Sequence, residues 1–258
     1  MKIVSLLENT TNNPALQAEH GLSLYIETER YKILFDMGQT DAFAANAEKL
    51  HIHLADVDIA ILSHGHYDHG GGLAEFLKIN QKAAVYVQKD AFLPHYNGSE
   101  KYIGLNPALE KHPRIVFTDK DISLGNGLTL LSSRNQPIHR VFSSFGLTEK
   151  TENRYIPDDF RHEQYLLMEE NGQKILLSGC SHRGILNIMK WFSPDVLIGG
   201  FHFSKMPVDG ELLRMINDLN AYETTYYTCH CTGETQFSFM KAHMPNLFYL
   251  SCGEQILL

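Results

Sequence analysis

A ten-residue run, SHGHYDHGGG, contains three histidines and an aspartate. It directly follows the apolar segment 57–62, which predicts a buried strand that ends where the polar run begins. Imidazole nitrogen and carboxylate oxygen are the ligands that Zn²⁺, Mn²⁺ and Fe accept. The alternating spacing lets His64 and His66 reach one ion while Asp68 and His69 turn toward a second. The run therefore predicts half of a two-metal centre, because a chance surface turn would not follow a buried strand.

The His-x-His-x-Asp-His pattern in this run resembles the signature of the metallo-β-lactamase superfamily. Shorter motifs resemble one subgroup, which contains proteins similar to the archaeal enzyme that joins a dihydropterin to ribofuranosylaminobenzene phosphate. These motifs are Asn9-Thr10 and residues 19–23, 34–39, 179–182, 199–202 and 230–233. The resemblance spans most of the chain. It implies the superfamily's fold and two divalent metal ions, with zinc as the first choice and Mn or Fe as alternatives.

Apolar runs with β-branched residues alternate with amphipathic segments along the chain. Strands are predicted at 2–7, 22–27, 31–35, 57–62, 83–87, 114–117, 128–131, 164–169, 174–177, 195–198 and 224–228. Helices are predicted at 41–50, 73–77, 211–220 and 234–242. Two strand-rich halves with helices outside predict the α/β class and an αββα sandwich. At this length a single domain over 1–258 is expected, with an irregular insertion or lid near 90–114 and a second irregular stretch at 145–161.

Further ligand candidates follow strands of the second half. The resemblance places Cys180 where superfamily members usually carry an aspartate that bridges two metals. Cys180 is therefore either a thiolate ligand or an unligated core cysteine. His230 resembles the superfamily's final metal ligand. Cys229 and Cys231 alternate with His230 along a strand, so we expect them to point away from it and to lie in the core.

Three more residues have alternative roles. His182 is a metal ligand, a substrate contact or a residue near the start of a helix. His202, between two phenylalanines, is a ligand, a substrate contact or a satisfied histidine at a strand end. Asp36 resembles the superfamily's first motif, a carboxylate that accepts the second N–H of a ligand imidazole; the alternative is a turn aspartate.

One departure from the superfamily concerns a further histidine usually found between the first cluster and the Cys180 position. Only His139 and His162 are candidates for it, and neither matches cleanly. Without that ligand one site would keep His64, His66 and a shared group, which changes the preferred metal or its occupancy.

Composition limits the partners. The formal net charge of −8 gives the protein no overall attraction for nucleic acid or anionic lipid. Arg134, His139 and Arg140 form either a local phosphate site or a solvated loop. No apolar stretch approaches the roughly 20 residues of a membrane helix, and the first strand is too short for a signal peptide. Four cysteines, unlike a secreted disulfide framework, indicate a reducing cytoplasm.

A two-metal centre predicts a metal-dependent hydrolase of a small-molecule phosphoester, lactone or similar electrophile, with Asp68 as the catalytic carboxylate. The subgroup resemblance implies an alternative, a transferase that condenses a dihydropterin phosphate with an arylamine. A third hypothesis is a metal-binding small-molecule sensor with little turnover. Phe92, Tyr96 and Tyr102 either stack on a substrate ring or pack the insertion. The sequence leaves the oligomeric state open.

Overall fold

The computed structural model describes residues 1–258 and contains eighteen strands and six α-helices. In chain order the strands are β1 (Lys2–Leu7), β2 (Ser23–Glu27), β3 (Lys32–Phe35), β4 (Ile59–Ile61), β5 (Ala84–Gln88), β6 (His95–Asn97), β7 (Lys101–Tyr102), β8 (Ile115–Thr118), β9 (Ile122–Gly125), β10 (Leu128–Ser132), β11 (Leu147–Thr151), β12 (Arg154–Pro157), β13 (Gln164–Glu170), β14 (Gln173–Leu177), β15 (Val196–Gly199), β16 (Thr225–Thr228), β17 (Leu247–Tyr249) and β18 (Gln255–Leu257). The helices are α1 (Ala42–Lys49), α2 (Tyr67–Gly70), α3 (Leu73–Ile79), α4 (Ile185–Phe192), α5 (Gly210–Leu219) and α6 (Glu234–Lys241).

Two seven-stranded sheets form the centre of the molecule. Their strand orders are β18-β1-β2-β3-β4-β5-β8 and β17-β16-β15-β14-β13-β10-β9. The first sheet is parallel from β3 to β8, and the second is parallel from β14 to β17. Antiparallel strands complete the other half of each sheet.

Three apolar layers hold the sheets and helices together. The central layer joins the facing sides of the two sheets, with Ile26 and Ile33 of one sheet in the same cluster as Leu166 and Ile175 of the other. A second cluster packs α1 and α3 on the outer face of the first sheet, and a third packs α4, α5 and α6 on the outer face of the second. The layers are therefore helix, sheet, sheet, helix, and the predicted αββα sandwich is confirmed.

Local sequence signals explain several elements. Asn171 and Gly172 both have positive φ in the two-residue turn between β13 and β14, which is the conformation that an Asn-Gly hairpin favours. The side chain of Asp209 accepts hydrogen bonds from the first backbone N–H groups of α5 and so begins that helix. These signals depend on neighbouring residues alone, so they can be recognised in the sequence.

The stretches predicted to be irregular contain a third, antiparallel sheet of four strands in the order β12-β11-β6-β7. The expectation of irregular structure is wrong there, because these strands are short and mostly exposed and so lack a clear apolar alternation. Tyr96 packs against Tyr102 and Tyr155 within this sheet, at centroid distances of 5.4 and 5.1 Å. Phe92 packs against Phe117 instead. The single domain and the lid role of 90–114 stay predictions.

Five parallel strands deliver polar side chains at their carboxyl ends. Asp36 follows β3, His64 follows β4, Cys180 follows β14, His202 follows β15 and His230 follows β16. In open α/β sheets this edge is where ligands bind. The structure has no helix with the length and apolar character needed to cross a membrane, and all four cysteines are free and buried.

Candidate metal centre

The loop after β4 is held by a buried carboxylate. Asp36 accepts the backbone N–H and the hydroxyl of Ser63, both at 2.7 Å, and the Nδ1–H of His69, also at 2.7 Å. Because the Ser63 hydroxyl donates to Asp36, its oxygen accepts the Nδ1–H of His64 at 2.8 Å. Both imidazoles therefore direct Nε2 into the site, as metal-binding histidines do. Asp36 thus accepts an imidazole N–H, and its role behind a metal ligand stays a prediction.

The imidazole of His230 is oriented from the amino-terminal strand. Its Nδ1–H donates to the side-chain oxygen of Asn9 at 2.8 Å, and its backbone N–H donates to Glu8. The amide nitrogen of Asn9 lies 3.4 Å from Nδ1 of His20, whose Nε2 lies 3.2 Å from Oδ2 of Asp68. Asn9 thus sets both tautomers: His20 donates to Asp68, while His230 keeps a lone pair on Nε2.

Three buried histidines meet on one side of the site. His64, His66 and His182 each offer a ring nitrogen, and these nitrogens lie within 4.8 Å of one another. Four ring nitrogens here have no hydrogen-bond partner: Nε2 of His64, Nε2 of His66 and both nitrogens of His182. Burial lowers the pKa of each of these imidazoles well below its usual value, so all three are neutral. Orphaned neutral nitrogens in this number are rare in a core without a cation between them.

A second group contains His69, His230 and Asp68. Nε2 of His69 lies 3.2 Å from Nε2 of His230, and Oδ2 of Asp68 lies 3.4 Å from the same His230 atom. Although burial opposes it, the charge of His69 and the hydrogen bond from His20 hold the pKa of Asp68 well below its usual range. Burial also lowers the pKa of His69, but Asp36 and Asp68 outweigh it and raise that pKa to about 9. A proton or a cation must lie between the two Nε2 atoms.

Cys180 lies between these two groups. Its sulfur is 3.1 Å from Nε2 of His69 and falls in one donor group with His64 and His69. Burial raises the pKa of the Cys180 thiol well above its usual value, so ionisation requires a nearby cation. The position fits the bridging group that the resemblance implies.

The expectation that Cys231 lies in the core, away from the site, is wrong. Its sulfur falls in one donor group with Cys180 and His202, and it accepts the backbone N–H of His202 at 3.3 Å. Strand β16 ends at Thr228, and His230 adopts φ of +49° at the start of a 3-10 turn, so strand alternation no longer applies. Cys229 lies in the core, as expected.

His202 stands beside His182, with ring centroids 4.2 Å apart, and neither of its ring nitrogens has a partner. His20 was not among the predicted site residues, although it lies in one of the motifs that carry the resemblance. Its side chain is about half exposed, unlike the buried donors around it. His20 and His202 both line the cavity above the donor groups.

His162 and His139 lie outside the group of His64, His66 and His182, and His162 falls in a separate donor group with His66, His95 and Asp158. Nδ1 of His162 accepts the backbone N–H of Gly65 at 2.9 Å, so its proton is on Nε2, which donates to Asp158 at 3.2 Å. The same carboxylate oxygen accepts the Nδ1–H of His95 at 2.8 Å. His162 thus clamps the loop between His64 and His66, and His139 is exposed. No motif in the sequence pointed to His95 or Asp158.

The basic residues near position 134 are paired elsewhere. Arg134 forms an ion pair with Asp90, and Arg140 lies near Asp218 and Glu211 at 3.4 and 3.7 Å. Neither arginine lines the cavity that contains the histidines. The solvated-loop alternative, rather than the phosphate site, agrees with the structure.

A cavity of about 210 Å³ opens above the donor groups. Its lining residues are His20, His66, Tyr67, Asp68, Asn97, Lys101, Ile103, Leu147, Cys180, His182, His202, Ser204, Lys205 and Cys231. Asn97, Lys101, Ile103 and Leu147 belong to the four-stranded sheet or its flanks, so that sheet forms one wall of the cavity.

The Asp36 network should contribute measurably to stability. We expect Asp36→Asn to lower the free energy of unfolding of the metal-free protein by about 2 kcal/mol, because an amide cannot replace all three accepted hydrogen bonds. Urea unfolding measures this. Asp56→Asn is the matched control, since the Asp56–Lys32 pair is exposed and screened by solvent and its loss should leave the unfolding free energy almost unchanged. Equal losses in the two variants would contradict the assigned role of Asp36.

Several known proteins are similar to this chain in sequence or in structure. The family model of the metallo-beta-lactamase superfamily matches residues 16–139. A solved structure described as a metal-dependent hydrolase of the beta-lactamase superfamily is 28% identical, with a TM-score of 0.85 over 100% of this chain and 99% of that one. A metallo-beta-lactamase fold protein from Bacillus subtilis, 13% identical, has a TM-score of 0.61 over 99% and 98% of the two chains.

Two proteins of Methanocaldococcus jannaschii are also similar. One, named 7,8-dihydropterin-6-methyl-4-(beta-D-ribofuranosyl)-aminobenzene-5'-phosphate synthase, is 27% identical over 99% of this chain and 96% of its own length. The other is uncharacterised and is 26% identical over 90% and 91% of the two chains. Similarity to both a hydrolase and a synthase leaves the reaction to be argued from the site.

Proposed function

We propose that this chain is a hydrolase of the metallo-β-lactamase superfamily that uses two divalent ions, zinc first among them. The observation that carries this proposal is the set of buried, unpartnered nitrogens of His64, His66 and His182 beside the second donor group. The similarity of the whole chain to a metal-dependent hydrolase supports the same reaction class.

We assign two ligand sets. His64, His66 and His182 would hold one ion, and Asp68, His69 and His230 the other, with the Cys180 sulfur between them. Neutral imidazoles and one carboxylate suit Zn²⁺, and Mn²⁺ or Fe would also accept them. The Nδ1 partners Ser63, Asp36 and Asn9 fix three of these imidazoles from behind.

Two divalent ions bound there would supply Lewis acidity toward a water molecule and toward the substrate oxygen. The rest of the chemistry belongs to side chains. Asp68 is ionised and lines the cavity, so its carboxylate would take a proton from the attacking water. His20 donates to that oxygen and so holds it in place. His202 faces the cavity and would contact substrate rather than metal.

A transferase is the second candidate, favoured by the similarity to the archaeal synthase over nearly the full length. The metal-reconstituted protein should be incubated with a panel of phosphoesters and lactones in ¹⁸O-labelled water, with and without an arylamine. Hydrolysis predicts label in the product at an unchanged rate when amine is added. Incorporation of amine in place of label would establish the transferase. Full metal loading with no turnover on any substrate would favour the sensor instead.

Cys180 offers a test of the assigned ligands. Cys180→Ser should weaken metal retention at neutral pH at least about tenfold, because a hydroxyl stays protonated where a thiol would ionise. Cys180→Asp should partly restore retention by supplying a carboxylate. Cys229→Ser is the matched control: Cys229 is equally buried but lies in the apolar core, so this variant should lose stability and keep its metal. Equal metal in all three variants would remove Cys180 from the site.

A further inference from the structure

Two lysines stand at the cavity that contains the candidate metal centre. Lys101 comes from β7 of the four-stranded sheet, and Lys205 comes from the segment after β15. The two residues are about a hundred positions apart in the sequence but line the same cavity. Both side chains are exposed, so neither ammonium group is desolvated when no ligand is bound.

Neither lysine forms an ion pair with a carboxylate at the cavity. Nζ of Lys101 contacts the hydroxyl of Tyr67 at 3.3 Å, and Nζ of Lys205 contacts the carbonyl oxygen of Phe145 at 3.1 Å. Asp68 is the one carboxylate in the cavity lining, and it already accepts a hydrogen bond from His20. The mouth of the cavity is therefore cationic in a chain with a net charge of −8.

The remaining lining residues separate a polar end from an apolar wall. Asn97 and Ser204 add neutral hydrogen-bonding groups beside the lysines, whereas Ile103 and Leu147 are buried and pack together with Phe160. The cavity volume of about 210 Å³ is smaller than the roughly 300–1,000 Å³ of pockets for drug-sized ligands. Only a small substrate, or the reacting end of a larger one, fits inside.

We propose that Lys101 and Lys205 bind a phosphate group on the substrate, away from the bond that is hydrolysed, so that this site selects phosphorylated small molecules. The inference rests on the proposed function, since the donor groups mark where the reacting bond lies. Lysine ammonium groups act as point charges toward phosphate, and two of them with a hydroxyl and an amide match a tetrahedral dianion better than a planar carboxylate. The organic part of the substrate would lie against Ile103 and Leu147.

Calorimetric titration of the metal-reconstituted full chain with inorganic phosphate tests this inference. We expect the Kd for phosphate to rise at least about fivefold in Lys101→Gln and in Lys205→Gln, and at least about thirtyfold in the double variant. Lys150→Gln is the matched control, because Lys150 lies on β11 of the same sheet but outside the cavity lining. It should bind phosphate as the parent protein does.

Several outcomes would overturn the inference. One is unchanged phosphate affinity in the double variant, which would place the phosphate elsewhere, for instance on the metal ions. No measurable binding to the parent protein would also overturn it, as would acetate binding with equal affinity and equal dependence on the lysines. Metal content is measured on every sample. A parent protein that holds two ions but shows no lysine effect contradicts this inference alone, whereas one without metal or turnover contradicts the proposed function.

Discussion

His182→Ala should reduce the metal content of the reconstituted protein from two equivalents to one. The variant removes one of the three neutral imidazoles that meet at one side of the site. An ion left with His64, His66 and the shared Cys180 sulfur has too few protein ligands to be retained. His66→Ala should have the same effect for the same reason. Elemental analysis after removal of free metal measures it, and the sandwich core should preserve the fold in both variants.

His162→Gln is the matched control for His182→Ala. His162 is as buried as His182 and also lies beside His66, but its Nδ1 accepts the Gly65 N–H and its Nε2–H donates to Asp158. A glutamine can keep both hydrogen bonds, so this variant should retain two equivalents and lose at most about 1–2 kcal/mol of stability. Loss of metal from His162→Gln together with full retention in His182→Ala would reverse the assignment.

The first half of the site could be predicted from the sequence because its donors are contiguous. His64, His66, Asp68 and His69 occupy six positions after an apolar strand, so the spacing alone indicates convergence. The second half comes from separate strand ends. Cys180 and His230 could be proposed through the family resemblance, since each follows a strand of the same parallel set.

The choice between His162 and His182 could not be made in this way. His162 precedes β13 and matches the expected chain order, whereas His182 follows the strand that leads to Cys180. Only the fold shows that the turn Gly179–His182, with Ser181 at a φ of +57°, brings the second histidine to His64 and His66. A backbone conformation of that kind depends on tertiary packing and leaves no periodicity to recognise.

Cys231 and the four-stranded sheet show two other causes of error. The prediction for Cys231 assumed that strand alternation continued past β16, and the left-handed conformation of His230 ended it. Strands β6, β7, β11 and β12 are two to five residues long. They form two local hairpins, which join through the pairing of β6 with β11 across a large sequence separation. Their pairing partners, rather than their own residues, determine that they are strands.

Asp68→Asn should lower turnover by at least about 10²-fold, on whichever phosphoester or lactone the substrate panel identifies, with little change in melting temperature. The asparagine is nearly isosteric and can still accept the hydrogen bond from His20, so the loop geometry should survive. It carries no charge for the second ion, however, and it cannot take a proton, which is the role proposed for the carboxylate.

A matched variant separates these chemical losses from a change in orientation. His20→Gln keeps the Asp68 charge and removes only the ring that holds its Oδ2, so turnover should fall by no more than about tenfold and metal content should stay at two equivalents. The ordering of the two variants is the decisive measurement, because a group that only positions its neighbour contributes less to the rate than the group that transfers the proton. Turnover within a few-fold of the parent protein in Asp68→Asn, with both ions bound, would assign proton transfer to another cavity residue. His20 would then be the first residue to test, since its Nε2 lies 3.2 Å from Oδ2 of Asp68.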